Sequence, residues 1–147
     1  MTAQLTDDQI REIFEKYHTI AVVGLSPNID RPSHDVAKYL QAQTKPHSYK
    51  LVPVNPNAES VLGEVAYSDL FKVPPEIRID IVQIFRRPEY VPAIMDQVIL
   101  RGDANVVWMQ DGAGNEEAAE EGRKAGLTVV VNDCMFRQHY RLFRKGQ

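Results

Sequence analysis

Short apolar runs alternate along the chain with stretches of helical periodicity. The runs are TIAVVGLS (residues 19–26), KLVPVNP (50–56), IDIVQIF (79–85), NVVWMQ (105–110) and LTVVVND (127–133). They are rich in β-branched residues and too continuous for a sheet with one wet face, so they read as parallel strands buried on both sides. Ahead of them, Thr6 with Gln9 three residues on makes a capping box, and Ile10, Ile13, Phe14 and Tyr17 share one helical face. Between the runs, helical patterns cover 33–43, 88–100 and 116–125, with a short, ill-defined one at 59–71. Val91, Ile94, Met95, Val98 and Ile99 mark a buried side after Pro88, and Gly102 and Gly126 stand where helix C-caps belong. This alternation predicts a three-layer, Rossmann-like α/β fold: a five-stranded, mainly parallel sheet with helices on both faces. No internal repeat interrupts it, so residues 1–147 are expected to form a single domain. In such a sheet ligands sit beyond the carboxyl ends of the strands, where the strand order reverses.

Composition narrows the function classes. The 147 residues are 44% apolar and 25% charged, the profile of one globular domain with a substantial core. A formal charge of −3 offers no basic field for nucleic acid. The start, MTAQLTDDQIREIF, is polar and acidic where a signal peptide is basic and apolar, and no apolar run approaches the roughly 20 residues that span a bilayer. A cytoplasmic protein without membrane attachment is the expectation. Cys134 is the only cysteine, which excludes an intrachain disulfide and a zinc site of paired cysteines, and no metal site is expected.

Candidate chemistry lies at the strand ends. After the first run, GLSPNIDRPS places Gly24 for a tight turn before a helix whose amides favour an anion. Ser26, Asn28 and Ser33 add donors and Arg31 a permanent charge, together a candidate diphosphate cradle. The competing reading makes Ser33 the N-cap of a helix beginning at His34, and Arg31 a solvated loop residue. After the second run stand Asn55 and Asn57, where a nicotinamide-dinucleotide enzyme presents an Asp or Glu to the ribose. That substitution, the missing G-x-G-x-x-G and the missing G-x-x-x-x-G-K-[ST] argue against ordinary NAD binding and P-loop chemistry. Taken alone, the asparagines are turn residues beside Pro56. The third end, FRRPEY, sets Arg86 before a helix N-terminus, either reaching a phosphate or pairing with Glu89. At the fourth, Trp108 belongs to the core, Gln110 emerges at the strand tip as a candidate ligand contact, and Gly112 and Gly114 allow close backbone approach. Glu116, Glu117, Glu120 and Glu121 make a solvated helix face.

The segments AVVGLSPNIDRPSHDVAKYL, PVNP, IVQIFRRPE and VVWMQDGAGNEEAAEEGRKAGLTVVVNDC follow the order and spacing of the small stand-alone CoA-binding proteins. Nearly the whole chain resembles that family, which is similar to the CoA-binding domain of the succinyl-CoA synthetase alpha subunit. The resemblance implies a Rossmann-type domain holding coenzyme A at the carboxyl edge of its sheet. It implies Gly24, Leu25, Ser26 and Pro27 at the diphosphate, with Arg31 and Ser33 closing the loop. It further implies Val54, Asn55 and Pro56 near the adenosine, Phe85 and Arg86 beside the ligand, and Gln110 and Gly112 at the far wall. Two positions depart from the family pattern. Asn57 stands where many relatives carry a lysine suited to the 3′-phosphate, and Asn132 stands at the aspartate position ahead of Asp133 and Cys134.

The synthetase requires a phosphorylated histidine on a further domain and a grasp domain on a partner subunit, and a chain ending at Gln147 is expected to lack both. His18, His34, His47 and His139 form no recognisable base-and-nucleophile set and read as surface or structural residues. Cys134, just past the last strand, is the sole candidate nucleophile and more simply a buried thiol. The basic, aromatic tail CMFRQHYRLFRKGQ reads as a terminal helix docked by its aromatic face. The function expected is binding of CoA or an acyl-CoA without catalysis by this chain. The alternative is a nucleotide-dependent transferase or oxidoreductase using the same phosphate-binding loop.

Overall fold

Thr6 and Gln9 cap each other as their spacing requires. In the computed structural model, which describes residues 4–145, the Gln9 amide donates to the Thr6 hydroxyl (3.2 Å) and the Thr6 amide to the Gln9 side chain (2.8 Å). This box opens α1 (Asp7–Lys16). The chain continues through β1 (Thr19–Val23), α2 (Pro32–Gln41), β2 (Lys50–Val54), a hairpin of β3 (Ser60–Val61) and β4 (Glu64–Val65), β5 (Ile81–Ile84), α3 (Val91–Arg101), β6 (Val106–Met109), α4 (Glu116–Lys124), β7 (Thr128–Val130) and α5 (Met135–His139).

The main sheet is fully parallel, in the order β2-β1-β5-β6-β7. It is a Rossmann-like α/β sheet, equivalent to the 3-2-1-4-5-6 order without its third strand. A remnant marks the missing strand's place: Tyr67 bridges in parallel to Val54, its amide donating to Pro53 O (3.0 Å) and its carbonyl accepting from Asn55 N (2.8 Å). Pro53 has no N–H to offer a ladder, so β2 suits the edge of the sheet. The buried runs alternate between two cores. Ile20, Val22, Leu51, Ile81, Val106 and Trp108 face α1, α2 and α5, whereas Ala21, Val23, Val52, Val82, Val107 and Val129 face α3 and α4. Both sheet faces are therefore covered, which is why the strands carry no polar alternation.

The ill-defined helix expected at 59–71 is absent. Leu62 (φ 54°) and Gly63 (φ 79°) turn the chain left-handed, producing the β3–β4 hairpin, and a short 3-10 turn at Leu70–Lys72 follows. The strands stop before the ends of their apolar runs because the loop residues beyond them leave the ladder. The C-cap at Gly102 forms with φ 80°, and its amide bonds to Val98 O.

The tail docks through its aromatic face, as expected. Met135, Phe136, Leu142 and Phe143 pack into the α1–α2 core, and a π-helical turn at Tyr140–Arg144 completes the described chain. His139 is 1% exposed there, edge-on to Phe14 (5.0 Å) and hydrogen-bonded through Nδ1 to the Tyr39 hydroxyl (2.8 Å). Burial, then Arg144 and His47, lowers its pKa from 6.5 to about 4. The unfolded chain thus takes up this proton near 6.5 and the folded one only near 4, so between those values the unfolded state holds more protons. Stability is expected to fall on acidification through this window, by on the order of 2–3 kcal/mol at pH 4. Urea melts at stepped pH check this, and His139→Gln should remove that share of the slope.

Candidate functional site

The strand order reverses between β1 and β5. From β1 the chain leaves through α2 toward β2, and from β5 it leaves through α3 toward β6, so the two connections diverge and open a cleft at the carboxyl edge. The cleft has a volume of about 830 Å³, within the range of small-molecule sites.

Gly24 forms its floor. With φ +90°, a side chain there would place its Cβ 2.4 Å from Phe85 O, so the loops after β1 and β5 touch through the missing side chain. The Gly24 amide bonds to Val54 O (2.8 Å), and the Asn55 side-chain amide donates to Leu25 O (2.9 Å), tying the second strand end to the first. The Asn55 carboxamide oxygen also accepts from Asn57 N (2.8 Å), the turn role its residue type favours.

The 24–33 loop is braced by its own polar side chains. Ser26 Oγ accepts from Asn28 N (3.0 Å), Asn28 Oδ1 from Asp30 N (2.9 Å), and Ser33 Oγ from Ser26 N (3.0 Å). The cap reading of Ser33 is corrected: α2 starts at Pro32 with Arg31 in the cap position, and buried Ser33 lies inside the first turn. Its hydroxyl serves the loop; Pro32 has no N–H and His34 N donates to Arg31 O (3.0 Å), so the Ser33 amide is the first-turn donor without a hydrogen bond among the described residues.

Arg31 and Arg86 line the cleft, and neither has an ion pair among the described residues. The pairing of Arg86 with Glu89 is therefore not what forms. Instead Arg86 lies 4.6 Å from the centre of the Tyr90 ring, and Glu89 sits 4.0 Å from Arg87. The acid on the rim is ion-paired: Arg137 donates to Asp111 (2.9 Å), and its guanidinium holds the carboxyl below the usual carboxylate range. The field left in the cleft is that of Arg31, Arg86 and a helix N-terminus, which favours an anion.

At the far wall Gln110 is only 4% exposed. Its Oε1 accepts from Met135 N (2.9 Å) and from the buried Gln83 Nε2 (3.0 Å), while its side-chain Nε2 has no hydrogen bond among the described residues. Gln83 is a positioning residue that the sequence reading missed. A polar residue inside a strand covered on both faces was the available signal. Asn132 braces the neighbouring loop, accepting from Gly112 N (3.2 Å) and Gly114 N (2.8 Å).

Of the fourteen candidate residues, the cleft gathers Gly24, Ser26, Arg31, Ser33, Asn55, Pro56, Phe85, Arg86, Gln110 and Gly112. Leu25 and Val54 lie outside the lining as core residues, 0% and 3% exposed, and their carbonyls accept from Asn55 Nδ2 and Gly24 N. Pro27 and Asn28 lie exposed outside its lining. Asn57, Tyr90 and Cys134 join the wall.

The model of the family described as CoA binding domain matches residues 18–140. The chain belongs to that family. CoA binding is thus supported for this CoA-binding domain as a class. The protein YneT of Bacillus subtilis (strain 168) is 40% identical over 127 residues, covering 86% of this chain and 89% of its own. A solved structure of a hypothetical protein from Pyrococcus horikoshii OT3 superposes with a TM-score of 0.87 at 40% identity, covering 97% of each chain. The acetate–CoA ligase (ADP-forming) II of Archaeoglobus fulgidus is 26% identical over 119 residues, which are 81% of this CoA-binding domain and 16% of the ligase. Among the described residues no helix is long and apolar enough to cross a membrane, and no cluster of His, Cys, Asp and Glu is arranged to hold a metal ion.

Proposed function

We propose that this protein binds coenzyme A or an acyl-CoA in the cleft at the carboxyl edge of its sheet, and acts as a carrier, sensor or accessory rather than a catalyst. The observation that carries the reading is the meeting of unpaired Arg31 and Arg86 with the α2 N-terminus over Gly24, in a space of about 830 Å³. The diphosphate lies against the Gly24–Ser26 backbone and the first turn of α2, with Arg31 and Arg86 as its cationic partners. The adenosine lies toward Asn55 and Pro56, and the far end of the ligand toward Gln110 and Gly112. Asn57 brings no charge to the 3′-phosphate, and Arg87, 4.0 Å from Glu89, is the remaining cleft cation for it.

Thermal unfolding with CoA, dephospho-CoA and NAD tests the reading. CoA at a hundred times its Kd should add about 2.7 kcal/mol, raising the midpoint by roughly 5–10 °C. Dephospho-CoA should give a smaller shift and NAD none. Arg86→Ala should weaken CoA roughly 10- to 100-fold, the worth of a charge-assisted hydrogen bond of about 1.5–3 kcal/mol. No shift with either CoA form would sink the proposal.

A further inference from the structure

We infer that the preferred ligands are acyl-CoA thioesters with an apolar chain, and that this chain lies in a groove between α2 and α5 walled by Val36, Cys134, Phe136 and Tyr140. The groove has a volume of about 500 Å³. It adjoins the CoA cleft, and Val36 and Cys134 line both. Ser33 and Val36 are three residues apart on α2 and so share one face, carrying the cleft from the helix N-terminus into the groove one turn further on.

The lining determines what the groove takes. Arg137, Arg141 and the exposed Lys145 form part of it, and the two arginine heads are engaged elsewhere. Arg137 is held by Asp111 (2.9 Å) and Asp133 (2.7 Å), and Arg141 by Asp7 (2.7 Å) and Gln138 (2.6 Å). What these residues offer the groove is their methylene stems. Cys134 stands at the junction and behaves as a small apolar residue there. An apolar trough leading off a cationic cleft fits a ligand with an anionic head and an apolar tail. A free nucleotide has no tail to fill it. An acyl thioester of CoA has both parts in one molecule.

The inference rests on the CoA-binding reading of the cleft, and one titration series separates the two. Dissociation constants are measured calorimetrically for CoA and its acetyl, butanoyl, hexanoyl and octanoyl thioesters. Binding should tighten about twofold or more per added methylene, with a ceiling near fourfold, the equivalent of about 0.8 kcal/mol per buried methylene. Tyr140, 48% exposed and lining only the groove, is the residue to vary. Tyr140→Asp should leave the Kd for CoA unchanged and flatten the chain-length dependence, while Tyr140→Phe retains it. CoA binding with no dependence on chain length overturns this inference and leaves the cleft reading standing. A dependence that Tyr140→Asp does not alter overturns the placement of the chain. Failure of every CoA form to bind overturns both.

Discussion

Gly24→Ala is expected to weaken CoA binding more than tenfold and to lower the thermal midpoint by roughly 10 °C. Two costs combine. At φ +90° an L-residue is strained by about 1–2 kcal/mol, and the new Cβ would sit 2.4 Å from Phe85 O and 3.1 Å from Arg86 Cδ, forcing an overpacking shift of about 1–3 kcal/mol. The first contact is with backbone, so the β1 and β5 ends must separate rather than one side chain rotate. That separation moves Arg86, the cation proposed for the diphosphate, and loosens the amides that face the cleft. At roughly 2–4 °C per kcal/mol for a chain of this size, the combined cost of about 4 kcal/mol gives the stated shift, and the Kd should rise more than tenfold. Gly112→Ala is the control. Gly112 also has positive φ (85°), but nothing lies within 4 Å of its added Cβ, so only the strain applies and the midpoint should fall by less than half as much. Scanning calorimetry and a CoA titration on both variants decide the matter. A wild-type midpoint for Gly24→Ala would remove the close approach of the two loops from the account of the site.

The sheet and the position of the cleft were legible for one physical reason: parallel strands buried on both faces leave continuous β-branched runs, and their ends are where polar residues reappear. Gly24, Arg31, Asn55, Arg86 and Gln110 each lie at or just past the end of such a run, so reading strand ends was enough to bring them together. The segment at 59–71 was illegible because its conformation is set by two left-handed residues, Leu62 and Gly63, and by the bridge of Tyr67 to Val54 rather than by periodicity. Leucine gives no local sign of positive φ. Ser33 was ambiguous because a serine before a helix caps it far more often than it braces a loop, and Pro32 moved the helix start back by one residue. Leu25 and Val54 were drawn in by resemblance alone, and both side chains are buried in the core. Gln83 was hidden among apolar neighbours, its purpose visible only once Gln110 is seen to need orienting.

Arg101→Ala is expected to cost about 4 kcal/mol of stability while leaving CoA affinity within about twofold, the reverse of what binding-site changes do. Arg101 ends α3, and its side chain is 10% exposed. It pairs with Asp103 (3.1 Å) and donates to the carbonyls of Leu70 (3.1 Å), Val73 (2.6 Å), Pro74 (3.1 Å) and Ile77 (2.7 Å). Asp103 in turn accepts from Ile79 N (3.0 Å). This one guanidinium therefore organises the connection that runs from the hairpin to β5, where the sheet lacks its third strand and the backbone has no ladder to bond. Removing it strands a half-buried carboxylate and several carbonyls at once, and breaking such a pair costs about 3–5 kcal/mol. Arg101→Lys should recover only part of the loss, since an ammonium cannot fork to four carbonyls and a carboxylate. α3 starts at the cleft edge and runs back across the sheet, so its C-terminal Arg101 lies at the opposite edge from Arg86. Urea melts of the two variants, each with and without saturating CoA, check the prediction. A variant that loses CoA affinity as strongly as stability would mean that the 70–79 connection holds the cleft in shape, and the separation of scaffold from site argued here would be wrong.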